Sequence, residues 1–298
     1  AELDDLSTNA SQNGTCALTI TVADAATVTQ GKAIVDATSV STITLTTGLT
    51  GALSTYIATG VNTVHADLTA IKTKQSDVNI TITPAIENIT GAQVTQVNNI
   101  AAATAGTVEA SIDGNVAELD DLAANGTSAT CAFTIVVDDV ATVTQGATIA
   151  DATSLTTVDY SEAGISDSST NLTASTYANL DKVVAKDDDV EIIIDDANNT
   201  SLVATILSTI GGKTAGTVEA SNAIIITGTS AEVTAALVTP STLVVAASSK
   251  PEISGNPTVA ELNAIAAKAG VVTATLAANS ASNVDVLTTS ATDIITIS

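Results

Sequence analysis

The chain has few basic residues and few large side chains. It contains no arginine, methionine or tryptophan, one histidine, two cysteines and only four aromatic residues. Eight lysines stand against 32 aspartates and glutamates, so the formal net charge is −24 at pH 7. Because nucleic acids and anionic membrane surfaces are bound by clusters of lysine and arginine, this charge argues against both partners. It favours solubility, cation binding and a salty or extracellular setting.

Long apolar runs are absent as well. No stretch of about 18 apolar residues occurs, so we expect no insertion into a membrane. The chain begins with Ala1 rather than methionine, and we interpret it as a secreted, extracellular or cell-surface product whose signal peptide has been removed. Apolar residues nevertheless make up 45% of the sequence. That content predicts a folded core rather than a disordered chain.

The sequence repeats itself. Three phrases recur with a spacing of 115 residues and a fourth with a spacing of 110. They are T-C-A-[LF]-T-I at 15–20 and 130–135, V-T-Q-G at 28–31 and 143–146, D-A-T-S at 36–39 and 151–154, and T-A-G-T-V-E-A-S at 104–111 and 214–221. We divide the chain into copy one at 1–116, copy two at 117–228, and a partial third copy at 229–298 with a C-terminal strand. Fixed periods are typical of stacked repeat architectures.

Strand-like and helix-like patterns alternate along each copy. Residues 17–23 alternate apolar side chains with threonine, which predicts a strand. Asp24 and Asp139 are the predicted N-caps of the helices that follow. Longer helices are predicted around Leu53–Ile71 and Leu172–Val184. The strand residues expected to be buried are Leu18, Ile20 and Val22 in copy one and Phe133, Ile135 and Val137 in copy two.

This alternation predicts an α/β fold of tandem strand–helix repeats with parallel strands. The strands would form either an open solenoid or a few fused α/β layers. The alternative is an all-β sandwich array, because threonine, valine and asparagine are weak helix formers and the proposed helices are rich in them.

The repeated vocabulary of alanine, threonine, valine and aspartate resembles tandem repeats in very large secreted surface proteins of cyanobacteria and other aquatic bacteria. Phrases such as V-x-D-A-A-T-V-T-Q-G and I-A-D-A-T-S carry this resemblance across most of residues 17–240. It is compositional and includes no catalytic motif. It implies a structural or adhesive polymer at the cell surface.

A dense acidic segment is the candidate metal site. Carboxylates crowded at a strand end can bind Ca²⁺, the one cofactor that we consider. The spacing does not match an EF-hand, and the alternative is a charged edge that blocks unwanted strand pairing. The candidate ligands are Asp187, Asp188, Asp189, Glu191, Asp195 and Asp196.

The two cysteines occupy the same position in successive repeats. In an extracellular chain, Cys16 and Cys131 are candidates for a disulfide, either within one chain or between two subunits. Two buried thiols that behave as small hydrophobes are the alternative. Several Asn-x-Ser/Thr sequences are candidates for glycosylation, although some must arise by chance in this composition. The candidate asparagines are Asn79, Asn88, Asn125, Asn171 and Asn199.

Catalytic motifs are sparse. His65 is the only histidine, and a triad or a histidine-based metal site would need more partners. Gly211-Gly212-Lys213-Thr214 lacks the spacing of a phosphate-binding loop, so we expect Gly211 to end a helix.

These patterns predict a structural subunit rather than an enzyme. The subunit would assemble with copies of itself into an extracellular filament or surface layer, through its repeat ends and the terminal strand at 291–298. The alternative is a secreted adhesin or a calcium- or glycan-binding module.

Overall fold

The computed structural model describes residues 17–161, 164–277 and 284–298. Short strands alternate with helices in this part of the chain and form four mostly parallel sheets. The predicted α/β class is confirmed, and the all-β sandwich alternative is wrong.

The strands are short, and most have two to five residues. They are β1 Thr21–Val22, β2 Thr44–Leu45, β3 Leu49–Gly51, β4 Ile80–Ile82, β5 Thr107–Gly114, β6 Thr130–Val137, β7 Val158–Asp159, β8 Ile165–Asp167, β9 Ile192–Ile194, β10 Ser201–Val203, β11 Val218–Glu219, β12 Ile225–Thr229, β13 Val244–Val245, β14 Lys250–Ser254, β15 Thr273–Leu276 and β16 Ile294–Ile297.

Helices separate most of these strands. They are α1 Val28–Asp36, α2 Leu53–Tyr56, α3 Ala66–Lys74, α4 Gly91–Ala103, α5 Val116–Leu119, α6 Val143–Asp151, α7 Ser169–Leu172, α8 Ala174–Val184, α9 Ala204–Gly211, α10 Ser230–Leu237 and α11 Val259–Ala266. The expected helix at 53–71 is therefore two short helices, whereas the one expected at 172–184 corresponds largely to α8.

The chain divides into two compact units. The first unit runs to Asp138 and includes Thr148–Val158, and the second comprises Asp139–Ala147 and Asp159–Ser298. These limits differ from the copy boundaries drawn from the sequence at 116/117 and 228/229. The reason is that β6, which belongs to copy two, pairs along its whole length with β5 of copy one.

The described residues of each unit form two sheets. In the first unit they are β1-β2 and a five-stranded sheet in the order β3-β4-β5-β6-β7. In the second unit they are β13-β11-β9-β8 and β10-β12-β14-β15-β16. Within each sheet the order follows the chain or exactly reverses it, and the pairings with defined register are parallel. Within a sheet, each later strand thus lies beside the strand that was added to that sheet before it.

Each unit contains one series of parallel register partners, and the two series run through equivalent strands. An isolated parallel bridge from an alanine begins each ladder, and nearly all of its members are buried. The register partners are Ala26, Leu49, Ile80, Val108 and Cys131 in the first unit. They are Ala141, Ile165, Ile192, Val218 and Val244 in the second.

The phrase V-T-Q-G starts a helix in both copies. Thr27 is the N-cap of α1, where its hydroxyl accepts from the amide of Gln30 and the Gln30 side chain accepts from the amide of Thr27. Thr142 and Gln145 make the same reciprocal pair. These threonines, and not the predicted aspartates at 24 and 139, cap the helices, because each hydroxyl satisfies an amide that the helix leaves unpaired.

The phrases D-A-T-S and T-A-G place a buried threonine after a helix. Four such threonines, Thr38, Thr104, Thr153 and Thr214, are between 2% and 6% exposed. Each hydroxyl donates a hydrogen bond to a backbone carbonyl of the preceding strand region. It also accepts a hydrogen bond from a backbone amide of its own loop. The repeated phrases therefore encode the same hydrogen-bonding arrangement, which joins the loop after a helix to the neighbouring strand.

The predicted burial pattern of the first strand holds at five of six positions. Ile20 and Val22 are buried, as are the three copy-two residues at 133, 135 and 137, and Thr19 and Thr21 are exposed. Leu18 is 41% exposed and was predicted wrongly.

Candidate assembly edge and the other predicted sites

Strand β16 lies at the edge of the second unit's five-stranded sheet. It pairs in parallel with β15, with Ala274 opposite Ile295 and Leu276 opposite Ile297. No strand in the described part of the chain pairs with its other side. This edge belongs to the terminal strand through which the sequence predicts assembly.

The inward-facing side chains of β16 are incompletely covered. Register partners on parallel strands share a face, so Ile295 and Ile297 point to the same side as Ala274 and Leu276. Leu276 is fully buried and Ala274 is 4% exposed, whereas Ile297 is 50% exposed. An apolar side chain on the interior face of a sheet is thus half accessible to solvent.

The backbone geometry fixes which groups face the open edge. The amides of Ile294 and Ser298 donate to the carbonyls of Val272 and Leu276 on the β15 side. Because alternate residues of a strand direct their N–H and C=O groups to opposite sides, Ile295 and Ile297 direct theirs to the open edge.

Charge does not protect this edge. Asp293 is the only charged residue of the segment at 291–298, and its carboxylate accepts from the amides of Val272 and Ser290 at 2.7 and 2.6 Å. Natural sheets usually guard an exposed edge with charges, proline or a bulge. The residues of β16 itself include neither a charge nor a proline.

A shallow depression of about 420 Å³ lies on the sheet that β16 completes. Hydroxyls and one carboxylate line its polar part, from Thr227, Glu252, Ser254, Thr273, Thr275 and Thr296. None of its lining residues is aromatic. Sequence reasoning missed this surface, although the alternation of threonine with apolar residues in these strands was the available signal.

The six predicted calcium ligands lie around β9. Four of them precede the strand (Asp187, Asp188, Asp189 and Glu191) and two follow it (Asp195 and Asp196), so the two groups lie at opposite ends of an extended segment. Within the described ranges, no group of three or more such side chains is placed to hold a metal ion. The calcium site remains a prediction.

Asp187 has a structural partner. Its carboxylate accepts from the amide of Tyr160 at 2.9 Å. Burial raises the pKa of Asp187, and the nearby carboxylates of Asp189 and Asp159 raise it further, while the bond from Tyr160 opposes them. In copy one the amide of Leu45 donates at 2.7 Å to the neutral side chain of Gln75 instead.

Asp196 lies at the start of α7. It is 7% exposed, and its Oδ1 accepts from the amide of Ser169 at 3.2 Å. Its Oδ2 has no hydrogen-bond partner in the described residues. The carboxylate thus satisfies an amide that the short helix leaves free.

Cys131 lies inside β6 and is 2% exposed. Burial raises the pKa of its thiol, which lowers the thiolate fraction. Cys16 lies outside the described residues, so the predicted pairing of the two cysteines remains a prediction. A bond from Cys131 to another subunit would require this thiol to become accessible.

The five candidate glycosylation sites differ in how their side chains are used. The side chains of Asn79, Asn125 and Asn199 accept hydrogen bonds through Oδ1, and that of Asn171 donates to Asp167 at 2.6 Å. Asn79 is exposed, as its alternation with buried Val78 and Ile80 predicts. Glycosylation itself remains a prediction.

Two residues noted in the sequence have structural roles. His65 is the N-cap of α3, where its Nδ1 accepts from the amide of Asp67. Gly211 is the last residue of α9, as expected. Lys213, which follows it, pairs with Asp181 and lies 4.7 Å from the centroid of the Tyr177 ring.

No helix among the described residues is long and apolar enough to cross a membrane. No protein-family model matches the chain, and neither a curated protein nor a solved structure resembles it significantly.

Proposed function

We propose that this chain is a non-enzymatic structural subunit that assembles with copies of itself into an extracellular filament or surface layer. The observation that carries the proposal is the open edge of β16, with Ile297 half exposed on an otherwise buried face. Adding a strand there would satisfy the open-edge backbone groups of Ile295 and Ile297 and cover apolar surface at once.

The architecture supports open-ended growth. Each sheet within a unit grows by parallel strands added at its edge. A strand from a second copy would extend the sheet in the same way. A contact between unlike surfaces that does not close into a ring produces a filament.

Removing β16 tests the proposal. We expect the purified full chain to form filaments or sheets visible by electron microscopy and to sediment as large species. Deletion of Ile294–Ser298 should leave a folded monomer, because β16 is an edge strand and pairs with β15 alone among the described strands. Ile297→Val, which keeps the apolar face and the backbone amide, is the matched control and should assemble.

Two outcomes would contradict the proposal. One is a full chain that remains monomeric at high concentration over a range of salt. The other is a truncated chain that assembles as well as the intact one.

A further inference from the structure

The open edge of β1 resembles that of β16 in its chemistry. Strand β1 pairs with β2, with Thr21 opposite Thr44, and no other strand of the described residues pairs with it. Neither Ala17–Ala23 nor Ile294–Ile297 contains a charged residue, in a chain whose net charge is −24. Electrostatic repulsion between two copies is therefore locally weak at these two edges.

The backbone of β1 shows which groups its open edge presents. The carbonyls of Ile20 and Val22 accept from the amides of Thr44 and Thr46 on the β2 side. By the alternation of strand backbone groups, Thr21 directs its N–H and C=O away from β2.

The side chains of β1 alternate between the interior and the solvent, as those of β16 do. Ile20 and Val22 are 6% and 9% exposed, so they face the interior, and Thr21 faces solvent. On β16 the interior side chains are Ile295 and Ile297, and Thr296 faces out.

We infer that the open edge of β16 in one copy pairs in parallel with the open edge of β1 in a second copy. This inference rests on the proposed function and names the partner surface. The register places Thr296 opposite Thr21, Ile295 opposite Ile20 and Ile297 opposite Val22.

This register satisfies both strands. The amide of Thr21 donates to the carbonyl of Ile295, and the amide of Ile297 donates to the carbonyl of Thr21, so the groups that face the open edges pair with one another. A shift by one residue would turn every apolar side chain to the wrong face. The contact joins unlike surfaces, so each copy keeps one open edge and growth continues.

Proline substitutions test the inference at both edges. Thr21→Pro removes an amide that β2 does not use, and Ile297→Pro removes one that β15 does not use, so each variant should fold. Each variant alone should show a loss of sedimenting material of about tenfold or more, because a partner carbonyl at the interface stays unpaired. Thr21→Val and Ile297→Val keep the amides and should assemble like the natural chain.

Mixing the two proline variants should produce heterodimers and nothing larger. The Thr21→Pro chain retains its β16 edge and the Ile297→Pro chain retains its β1 edge, so one productive contact remains. Differently tagged chains and light scattering would measure this. Circular dichroism and urea unfolding of each variant would establish that it is folded before mixing.

A cysteine pair tests the register. In a Cys16→Ser background, chains with Thr21→Cys and chains with Thr296→Cys should form an oxidised dimer, because neighbouring strands lie about 4.8 Å apart and a disulfide spans that distance. Thr275→Cys, one strand further in, is the control and should not cross-link to Thr21→Cys.

The outcomes separate the inference from the proposed function. If the natural chain assembles but Thr21→Pro assembles equally well, or if the Thr21–Thr296 pair fails to cross-link within assembled material, the β1 partner is wrong and the structural role stands. If the natural chain does not assemble at all, the proposed function and the inference both fail.

Discussion

Copies one and two share the phrase T-C-A-[LF]-T-I but bury it to different degrees. Leu18 and Phe133 hold equivalent positions, yet Leu18 is 41% exposed and Phe133 is 1% exposed. The strand that contains Phe133 lies between β5 and β7, whereas β1 has only β2 as a neighbour in the described residues. A repeat of this kind buries its apolar face against neighbouring turns, so the outermost turns are the ones left accessible.

A second difference concerns a single hydrogen bond. The acceptor for the strand amide is the neutral Gln75 in copy one and the ionisable Asp187 in copy two. The hydrogen bond from the strand amide is thus retained while the acceptor changes from an amide to a carboxyl group. Only in copy two does this hydrogen bond involve a group that titrates.

The largest effect should come from the T-A-G glycines that the copies share. A Cβ at Gly106 would overlap the carbonyl oxygen of Asp77, and one at Gly216 would overlap that of Asp189. Because these obstacles are backbone, Gly106→Ala and Gly216→Ala should each lower the free energy of unfolding by about 3 kcal/mol. Gly91→Ala, where the Cβ meets nothing within 4 Å, is the control and should be near neutral in urea unfolding.

A smaller and unequal effect is expected from the buried threonines. The Thr153 hydroxyl donates to the carbonyl of Phe133 at 2.7 Å and accepts from its amide at 2.9 Å. Thr153→Val should destabilise the chain by about 2 kcal/mol, since it leaves buried backbone groups unpaired.

The matching change Thr38→Val should cost about 1 kcal/mol, because its partner Leu18 is far more exposed. Equal losses in urea unfolding would contradict the view that neighbouring turns determine how deeply equivalent positions are buried.

The helix caps should behave alike in both copies. Thr27 and Thr142 make the same reciprocal contacts with Gln30 and Gln145 in exposed positions. Thr27→Ala and Thr142→Ala should each lower the free energy of unfolding by about 1 kcal/mol. Thermal unfolding of both variants would measure this, and a large difference between them would show that the copies are not equivalent at their helix starts.

The smallest effect should be the pH dependence that Asp187 introduces. Its pKa is raised in the folded chain, so the folded state binds the proton more tightly than the unfolded state. Its contribution to stability is therefore fully present below the unfolded-state pKa and is lost as the pH rises through the folded pKa.

Asp187→Asn keeps the acceptor for Tyr160 and should flatten this part of the pH profile of unfolding. Gln75→Glu should introduce a titrating group at the equivalent position of copy one. An unchanged profile in Asp187→Asn would show that this carboxylate does not titrate differently in the folded and unfolded chains.

Much of the local structure could be predicted from residue patterns. The alternation at 17–23 and 131–137 predicts strands and most of their buried residues. The pattern predicts Asp24 as an N-cap, but Thr27 caps the helix, because capping depends on which oxygen reaches the free amides.

The predicted sites were less accessible to sequence reasoning. The isoleucines at 294, 295 and 297, with Asp293 as the only charge nearby, predict a terminal strand, but its inward and outward faces follow from pairing with β15. The acidic residues at 187–196 appear contiguous in the sequence, yet β9 separates them into two groups. An extended strand places residues that are close in sequence far apart in space.

The sequence by itself determined the repeat, the α/β alternation and the acidic character, since these depend on composition and on local patterns of a few residues. Only the tertiary structure decided where one compact unit ends and the next begins. It also decided which apolar faces remain accessible. Both depend on which strands are neighbours, and long-range backbone pairing sets those neighbours.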